Sequence, residues 1–236
     1  MSDYVYSSQK QPKYFLTYKI NSIYKESLPI VFEYHGDWGS LAVSQQHYNG
    51  FLPFENSQHI CVVLGAPVFY FSDNDFLLSE NSHTATEKIY QRWVVEQQMR
   101  WDEDLSGPFT VLLIDKNLKE VSVVTDLMTF IPVYTYQQDN QVWLGSHVDA
   151  LAKACGEQKS LDDVSLADFI LNDVVTFPFT VYKNIKQLKP GTNYQWQANK
   201  CSPTELTYWL PKEDFNFKDI DQAATQLRSG IQRYVN

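Results

Sequence analysis

The residues of this chain that could act as nucleophiles are one serine at the amino terminus and three cysteines. Ser2 follows Met1 directly, and removal of the methionine would leave a hydroxyl beside a free α-amine that can serve as its base. The cysteines (Cys61, Cys155 and Cys201) are odd in number and irregularly spaced, which fits neither a disulfide framework nor a zinc site. We expect each cysteine to be a small, buried apolar residue.

The other residues with catalytic potential show no pattern typical of a metal or phosphate site. The five histidines have no ligand spacing: His35, His47, His59, His83 and His147. The acidic stretches "DEDL" and "DFNFKDID" lack a calcium-loop pattern, and no glycine-rich phosphate-binding loop occurs. The sequence therefore predicts no metal site and no cofactor in this chain.

The composition indicates a globular protein. Of the 236 residues, 44% are hydrophobic and 15% are aromatic, which is too apolar for a disordered chain. The net charge of -9 disfavours binding to nucleic acid or to an anionic membrane. No signal peptide is visible, and no apolar run approaches the roughly 20 residues of a membrane helix. We expect a soluble protein of the reducing cytoplasm.

The first half of the chain has mainly strand patterns. Residues 1–13, "MSDYVYSSQKQPK", are polar and predict a loosely held leader. The alternating run "KYFLTYKI" and the short apolar runs "PIVFEYHG" and "HICVVLGAPVFYF" predict strands. The first helix is predicted near Thr84, because Thr84 as N-cap and Glu87 three residues later form a capping box.

The middle of the chain predicts strands that are covered on both faces. Residues 109–114 and 121–124 are joined by a polar turn and carry apolar side chains on both alternating faces. Such a strand must be buried on both sides. We therefore predict a central strand between a second sheet and a helix.

The second half predicts alternating hairpins and helices. A hairpin turns at Asp139-Asn140, and helices follow at residues 148–154 and 164–171. A hairpin-like segment, "IKQLKPGTNYQW", has Pro190 and Gly191 at the two central positions of a predicted type II turn. The final stretch, "DIDQAATQLRSGIQRYVN", predicts an amphipathic helix.

Three motifs in this order resemble the glutaminase-type amino-terminal domain of asparagine synthetases. The first is "GPFTVLLID", residues 107–115. The second is "TDLMTFIPVYTY…VWLGSHVDAL", with matches at Asp126, Pro132, Tyr134, Ser146, Ala150 and Leu151. The third is "TVYKNIKQLKPGTNYQW…TYW", with matches at Thr180, Ile185, Leu188, Pro190, Gly191, Tyr208 and Trp209.

The resemblance implies a class II glutamine amidotransferase domain of the N-terminal-nucleophile hydrolase fold. That fold is an α+β, four-layer αββα sandwich, in which helices flank two stacked, mostly antiparallel sheets. The implied domain covers residues 14–212 after the leader, and residues 213–236 form a linker and a helix that in the family leads into an ATP-dependent synthetase domain. The matched motif residues are expected to have structural roles.

The resemblance also implies a set of reacting groups that this chain lacks. The family nucleophile is an N-terminal cysteine, but no cysteine precedes Cys61, and Ser2 lies on the predicted leader. The family arginine that clamps the substrate carboxylate has no counterpart before Arg92.

Two further family motifs are degenerate. "LGAP" stands in place of the oxyanion-stabilising "NGE", so that Leu64 replaces an amide donor beside Gly65, although "YNGF" with Asn49-Gly50 is a rival match. "ATE" stands in place of the substrate-binding "DTE", with Ala85 at the acidic position. We therefore predict no catalytic residue, and regard Leu64, Gly65 and Ala85 as positions of a degenerate pocket.

The leading hypothesis is a non-catalytic amidotransferase-like domain that acts as a scaffold for a synthetase domain in the same or a separate chain. ATP and Mg²⁺ are implied for that partner domain, and a homo-oligomer is left open. One alternative is a stand-alone binding or regulatory module that reuses the old glutamine pocket near Gly65 and Ala85. Another is an active amidase that uses Ser2.

Overall fold

A computed structural model describes residues 3–26, 30–45, 51–69, 84–138, 140–197, 202–211 and 219–235. Its strands are β1 Tyr4–Ser7, β2 Val31–Gly36, β3 Gly39–Ser44, β4 Phe54–Glu55, β5 His59–Gly65, β6 Val68–Phe69, β7 Leu105–Ser106, β8 Phe109–Asp115, β9 Glu120–Thr125, β10 Tyr134–Gln138, β11 Gln141–Gly145, β12 Ile185–Gln187, β13 Thr192–Trp196 and β14 Thr204–Thr207. Its α-helices are α1 Phe15–Asn21, α2 Thr84–Tyr90 with a π-helical continuation Gln91–Val95, α3 Val148–Cys155, α4 Asp163–Asn172 and α5 Ile220–Val235.

Twelve of the strands form two antiparallel sheets. Sheet A has the strand order β12-β10-β11-β1-β3-β2, and sheet B has the order β14-β13-β9-β8-β5-β4. A separate small sheet pairs β6 with β7. The inner faces of sheets A and B pack on each other through buried side chains such as Tyr4, Leu41, Val62, Leu112 and Leu144.

Helices cover the outer faces of both sheets. Helices α1 and α3 pack on sheet A around Leu16, Ile20 and Leu151, and α2 packs on sheet B through Ile89. The predicted α+β, four-layer αββα sandwich is therefore confirmed. Strand β8 shows the predicted double burial: Leu112 faces the other sheet and Val111 faces the helix.

The prediction of a loose leader over residues 1–13 is wrong where the structure describes this segment. Tyr4–Ser7 is β1, which lies inside sheet A between β3 and β11 with all four residues buried. Polar neighbours lowered the average hydropathy and hid a short run of strand-forming residues, Tyr4, Val5 and Tyr6. The burial of Tyr4 and Tyr6 between the sheets is what stabilises β1.

The predicted strand "KYFLTYKI" is also wrong, because Phe15–Asn21 is helix α1. Leu16 and Ile20 are four residues apart and both fully buried against sheet A, as a helix requires. In so short a stretch, an alternating pattern and a helical pattern share these apolar positions. The Glu33 carboxylate accepts hydrogen bonds from the backbone N–H of Tyr14 (2.8 Å) and Thr17 (3.2 Å) at the helix start.

The segment from Ile185 to Trp196 is a crossover between the sheets and not a hairpin. Strand β12 pairs with β10 in sheet A, whereas β13 pairs with β9 in sheet B. Gly191 has the predicted positive φ, at 55°, and a Cβ there would lie 2.7 Å from the carbonyl oxygen of Trp209. The turn therefore depends on glycine.

The later hairpin and helices lie where they were predicted. Strands β10 and β11 pair as a hairpin, although Asp139 of the turn lies outside the described residues. Helices α3 and α4 match the predicted stretches, and α5 is helical with exposed side chains over Ile220–Gln232 apart from Ala223 and Ser229, which are partly buried. Across the described ranges, no helix has the length and apolar character needed to cross a bilayer.

Candidate active-site end of the sandwich

The start of β1 and the end of β5 lie at the same end of the sandwich. Val5 pairs with Gly145, and Gly145 pairs with Tyr134 at the start of β10. Ile131, just before β10, approaches Gly65 so closely that a Cβ on Gly65 would be 2.6 Å from Ile131 Cδ1. We call this the β1-start end, and the opposite end, with the β2–β3 and β8–β9 turns, the hairpin end.

A buried polar cluster surrounds Asp3 at the β1-start end. The Asp3 side chain, in a residue that is 5% exposed, accepts hydrogen bonds from Ser146 Oγ (2.9 Å) and from the Tyr24 hydroxyl. The backbone N–H of Asp3 donates to Ser44 Oγ (2.7 Å), and that of Tyr4 donates to Ser146 Oγ (3.1 Å). Burial is the larger cause and the hydrogen bond to Asp3 the smaller cause of a raised pKa for Tyr24.

This cluster anchors the chain immediately after Ser2, which itself lies outside the described residues. The hydroxyls of Ser44 in β3 and of Ser146, which follows β11, bind the backbone of Asp3 and Tyr4, so sheet A holds the chain at these two residues. The sequence analysis singled out only Ser146 of this cluster, as a structural position of a family motif. Asp3, Tyr24 and Ser44 were missed because each is separated from its partners by 21 or more residues, and no spacing signal links them.

The two degenerate positions on β5 are apolar and closely packed. Leu64 is 1% exposed and points into the core between the sheets. Gly65 has a φ of 84°, and a Cβ at this residue would lie 2.2 Å from the carbonyl oxygen of Pro108. Among the described residues, the side chain that approaches Gly65 is the apolar Ile131. The rival match, Asn49-Gly50, lies outside the described residues.

The Ala85 side chain lies on the outer face of sheet B. It is 2% exposed and belongs to the cluster on the outer face of sheet B, with Val63 and Phe109. Leu64 faces the opposite side of the same sheet. The side chains of the two positions that the sequence suggested as parts of one pocket therefore face opposite sides of sheet B.

Asp126 organises the loops at this end. Its carboxylate, in a residue that is 1% exposed, accepts from the backbone N–H groups of Met128 (2.8 Å), Phe130 (3.1 Å), Ile131 (3.3 Å) and Phe109 (3.2 Å). Its backbone carbonyl accepts from Gly191 N–H at 2.9 Å. The carboxylate is committed to holding backbone, which is a structural role.

The other motif residues also shape turns and strand ends. Pro132 precedes the fully buried Val133 and leads the chain into β10, where Tyr134 pairs with both Gly145 and Gln187. Burial raises the pKa of Tyr134. The carbonyl of Pro190 accepts from Thr192 Oγ1 at 2.8 Å.

The two cysteines within the described ranges are poor nucleophiles. Cys61 is fully buried in sheet B, and burial raises the pKa of its thiol to about 12. Cys155, at the end of α3, has a pKa raised by burial to about 11. Cys201 lies outside the described residues. No group of three or more potential metal ligands occurs in the part of the chain that the structure describes.

We expect native Cys61 to resist alkylation at pH 8, because the attacking species is the thiolate and the buried thiol stays protonated. Peptide mass spectrometry after iodoacetamide treatment should show Cys155 modified faster than Cys61, and both modified rapidly in urea. Equal rates for Cys61 in the native and unfolded protein would contradict this assignment.

The antiparallel sandwich carries the motif residues at its strand ends. A comparison with known families shows which protein family has this arrangement. Residues 41–209 match the model of the glutamine amidotransferase domain, and the chain belongs to that family. The predicted recognition of a glutamine amidotransferase domain is thereby confirmed.

Two solved structures align with most of this chain. The glutamine phosphoribosylpyrophosphate amidotransferase from B. subtilis, complexed with ADP and GMP, is 9% identical with a TM-score of 0.45. A structure described as the allosteric regulatory enzyme of purine biosynthesis is 9% identical with a TM-score of 0.47. Each alignment covers 89% of this chain and 50% of the other, so the chain spans half the length of these proteins. No curated protein matches the sequence.

Proposed function

We propose that this domain does not hydrolyse glutamine and serves as a structural scaffold for an ATP-dependent, amide-forming ligase of the asparagine-synthetase type. The observation that carries the proposal is the packing at Leu64 and Gly65. At the expected position of an oxyanion-stabilising amide there is a buried leucine, and the neighbouring glycine is packed against Ile131. Loss of one such donor typically lowers the rate about 100-fold or more.

The charged and nucleophilic groups support the same proposal. The first arginine of the chain, Arg92, donates from Nε to the buried Asp104 at 3.0 Å, so its guanidinium is part of an ion pair on the outer side of sheet B. A bidentate clamp on a substrate carboxylate needs a guanidinium directed at the substrate. Cys61 and Cys155 are held as protonated thiols by burial.

Exposed apolar side chains on α4 and on the loop that follows it support the proposal that a partner domain packs there. These side chains are between 46% and 80% exposed: Val164, Phe169, Ile170, Leu171, Val174, Phe177 and Phe179. A helix with apolar residues on most of its circumference is normally buried. In this proposal the synthetase domain, in the same or a separate chain, covers α4 and supplies the ATP and Mg²⁺ sites.

An ammonia-release assay tests the absence of glutaminase activity. We expect purified protein incubated with glutamine to release ammonia no faster than the heat-denatured protein. The Ser2→Ala variant is the matched control, because it removes the N-terminal hydroxyl without touching the described fold. Ammonia release that disappears in Ser2→Ala would overturn the scaffold proposal.

One observation favours the second candidate, an amidase that uses Ser2. Because β1 begins at Tyr4, Ser2 precedes a central strand by only two positions in the sequence. Such a position suits an N-terminal nucleophile if the methionine is removed. Intact-protein mass spectrometry that finds Met1 retained would exclude this candidate, because the α-amine would then belong to methionine.

The proposal of a partner domain is tested by the coding sequence and by a variant of α4. The gene should encode an "SGGxDSS"-type ATP loop beyond position 236 or in a neighbouring reading frame. With that synthetase expressed as a separate chain, Leu171→Asp should weaken co-elution with this domain, whereas Leu118→Asp should not. Leu171 is 80% exposed on α4, and Leu118 is 62% exposed at the β8–β9 turn. Absence of such a coding sequence would contradict the proposal.

A further inference from the structure

Helix α5, Ile220–Val235, carries an apolar stripe that is open to solvent. Ile220, Leu227 and Ile231 are 85%, 67% and 55% exposed, and Ala224 is exposed with them. None of the other described helices and strands packs extensively on α5. A lone helix of 16 residues is only marginally stable in water, because most helix stability in proteins comes from packing of an apolar face. The stripe is therefore a surface for association.

The spacing of the stripe fits a single partner helix. Its members are four, three and four positions apart, which is the repeat of the inner positions in a two-stranded coiled coil: Ile220, Ala224, Leu227 and Ile231. A stripe of this width is narrower than the face that a helix packs on a globular core. We call these four residues the α5 seam.

The charges beside the α5 seam distinguish the possible arrangements of two such helices. Asp221 and Arg228 are exposed and seven positions apart, so they lie on the same flank of the seam. The opposite flank has the small, uncharged Ala223 and Gly230. In an antiparallel pair of α5 helices, equal flanks face each other, and each Asp221 lies beside Arg228 of the other copy. In a parallel pair, unlike flanks face each other, and neither charge meets an opposite charge.

The same antiparallel register also matches the sizes of the side chains. When Asp221 lies beside Arg228 of a second copy, Ile220 lies opposite Ile231 of that copy, and Ala224 lies opposite its Leu227. A small side chain opposite a large one allows the two helices to interdigitate. Two-fold symmetry repeats each contact, so one set of residues serves both copies.

We propose that two copies of this chain associate through an antiparallel pair of α5 helices. The inference goes beyond the proposed scaffold role and leaves α4 available to the synthetase domain. Each helix is only about 24 Å long, so the interface is smaller than that of a tight dimer. The expected Kd is on the order of 10–100 µM.

Sedimentation equilibrium of the purified chain tests the dimer. The average mass should rise from monomer towards dimer between roughly 1 and 500 µM. Leu227→Asp, which puts a charge into the seam, should raise the Kd more than about tenfold. Leu118→Asp, at a residue that is 62% exposed in the β8–β9 turn, should leave the Kd unchanged. Both leucines are exposed, so neither variant disturbs the core, and circular dichroism checks that the fold is kept. A monomer at every concentration, as expected if α5 packs on its own domain or on a different protein, would overturn the proposal.

A mixing experiment tests the antiparallel orientation. Asp221→Arg places two arginines beside each other in the pair, and Arg228→Asp places two aspartates there, so each variant alone should dimerise about tenfold more weakly. In an equimolar mixture every arginine faces an aspartate, and a heterodimer should form with nearly the original affinity. Loss of the helix in either variant would not be reversed by mixing. A mixture that is no more dimeric than the two separate variants would overturn the proposed pairing.

Discussion

Replacement of Asp126 by alanine is expected to lower the free energy of unfolding by about 3–5 kcal/mol. The carboxylate accepts four backbone N–H groups, from Phe109, Met128, Phe130 and Ile131, at 2.8 to 3.3 Å. Alanine would leave these donors without their acceptor in a site where water has little access. Urea unfolding followed by circular dichroism would measure the loss.

Two variants make the Asp126 result specific. Asp126→Asn keeps one side-chain oxygen and should lose roughly half as much stability. Asp115→Ala removes a carboxylate that accepts from Asn117 and Leu118 in the exposed β8–β9 turn, and it should cost only about 1 kcal/mol. If Asp126→Ala and Asp115→Ala lose equal stability, the buried network is not what holds this end of the sandwich.

Replacement of Gly65 by alanine is expected to destabilise the protein by about 4 kcal/mol or more. Alanine at a φ of 84° is strained, and its Cβ would meet the carbonyl oxygen of Pro108 at 2.2 Å, which is backbone and cannot rotate away. Gly65 pairs with Phe109 at the end of the β5–β8 ladder, so a shift there would displace one of the Asp126 donors. Thermal and urea unfolding would measure the effect.

Gly107 offers a matched control for Gly65. Its φ is 94°, close to that of Gly65, but a Cβ at this position would meet nothing within 4 Å. Gly107→Ala therefore carries only the backbone strain, about 1–2 kcal/mol. The difference between the two variants measures the close approach of β5 to Pro108. Equal losses would show that this packing is not a constraint.

Both predictions concern the end of the sandwich where the family motifs converge. Asp126 and Gly65 would keep strands β5, β8 and β9 aligned whether or not an amide is cleaved there. A domain can therefore preserve these residues for stability alone. This separation of scaffold from chemistry is why the proposed function relies on Leu64, on the thiols and on the exposed face of α4.

The sequence predicted the middle of the fold better than its beginning. Residues 109–114 carried apolar side chains on both faces, and this local pattern correctly indicated a strand between a sheet and a helix. At the amino terminus, four strand residues stood among polar neighbours, and Tyr4–Ser7 became a strand only because β3 and β11 lie on either side of it. Pairing partners supplied by distant segments overrode a weak local signal.

The sequence by itself determined the family and the four-layer class, because these depend on residue identity and on short-range periodicity. Only the tertiary structure decided that Asp3 meets Ser146, 143 residues away, and that Leu64 and Ala85 face opposite sides of one sheet. It also decided that residues 185–196 connect two sheets. Such contacts depend on which strands pair and in which register, and a single sequence carries no local signal for that choice.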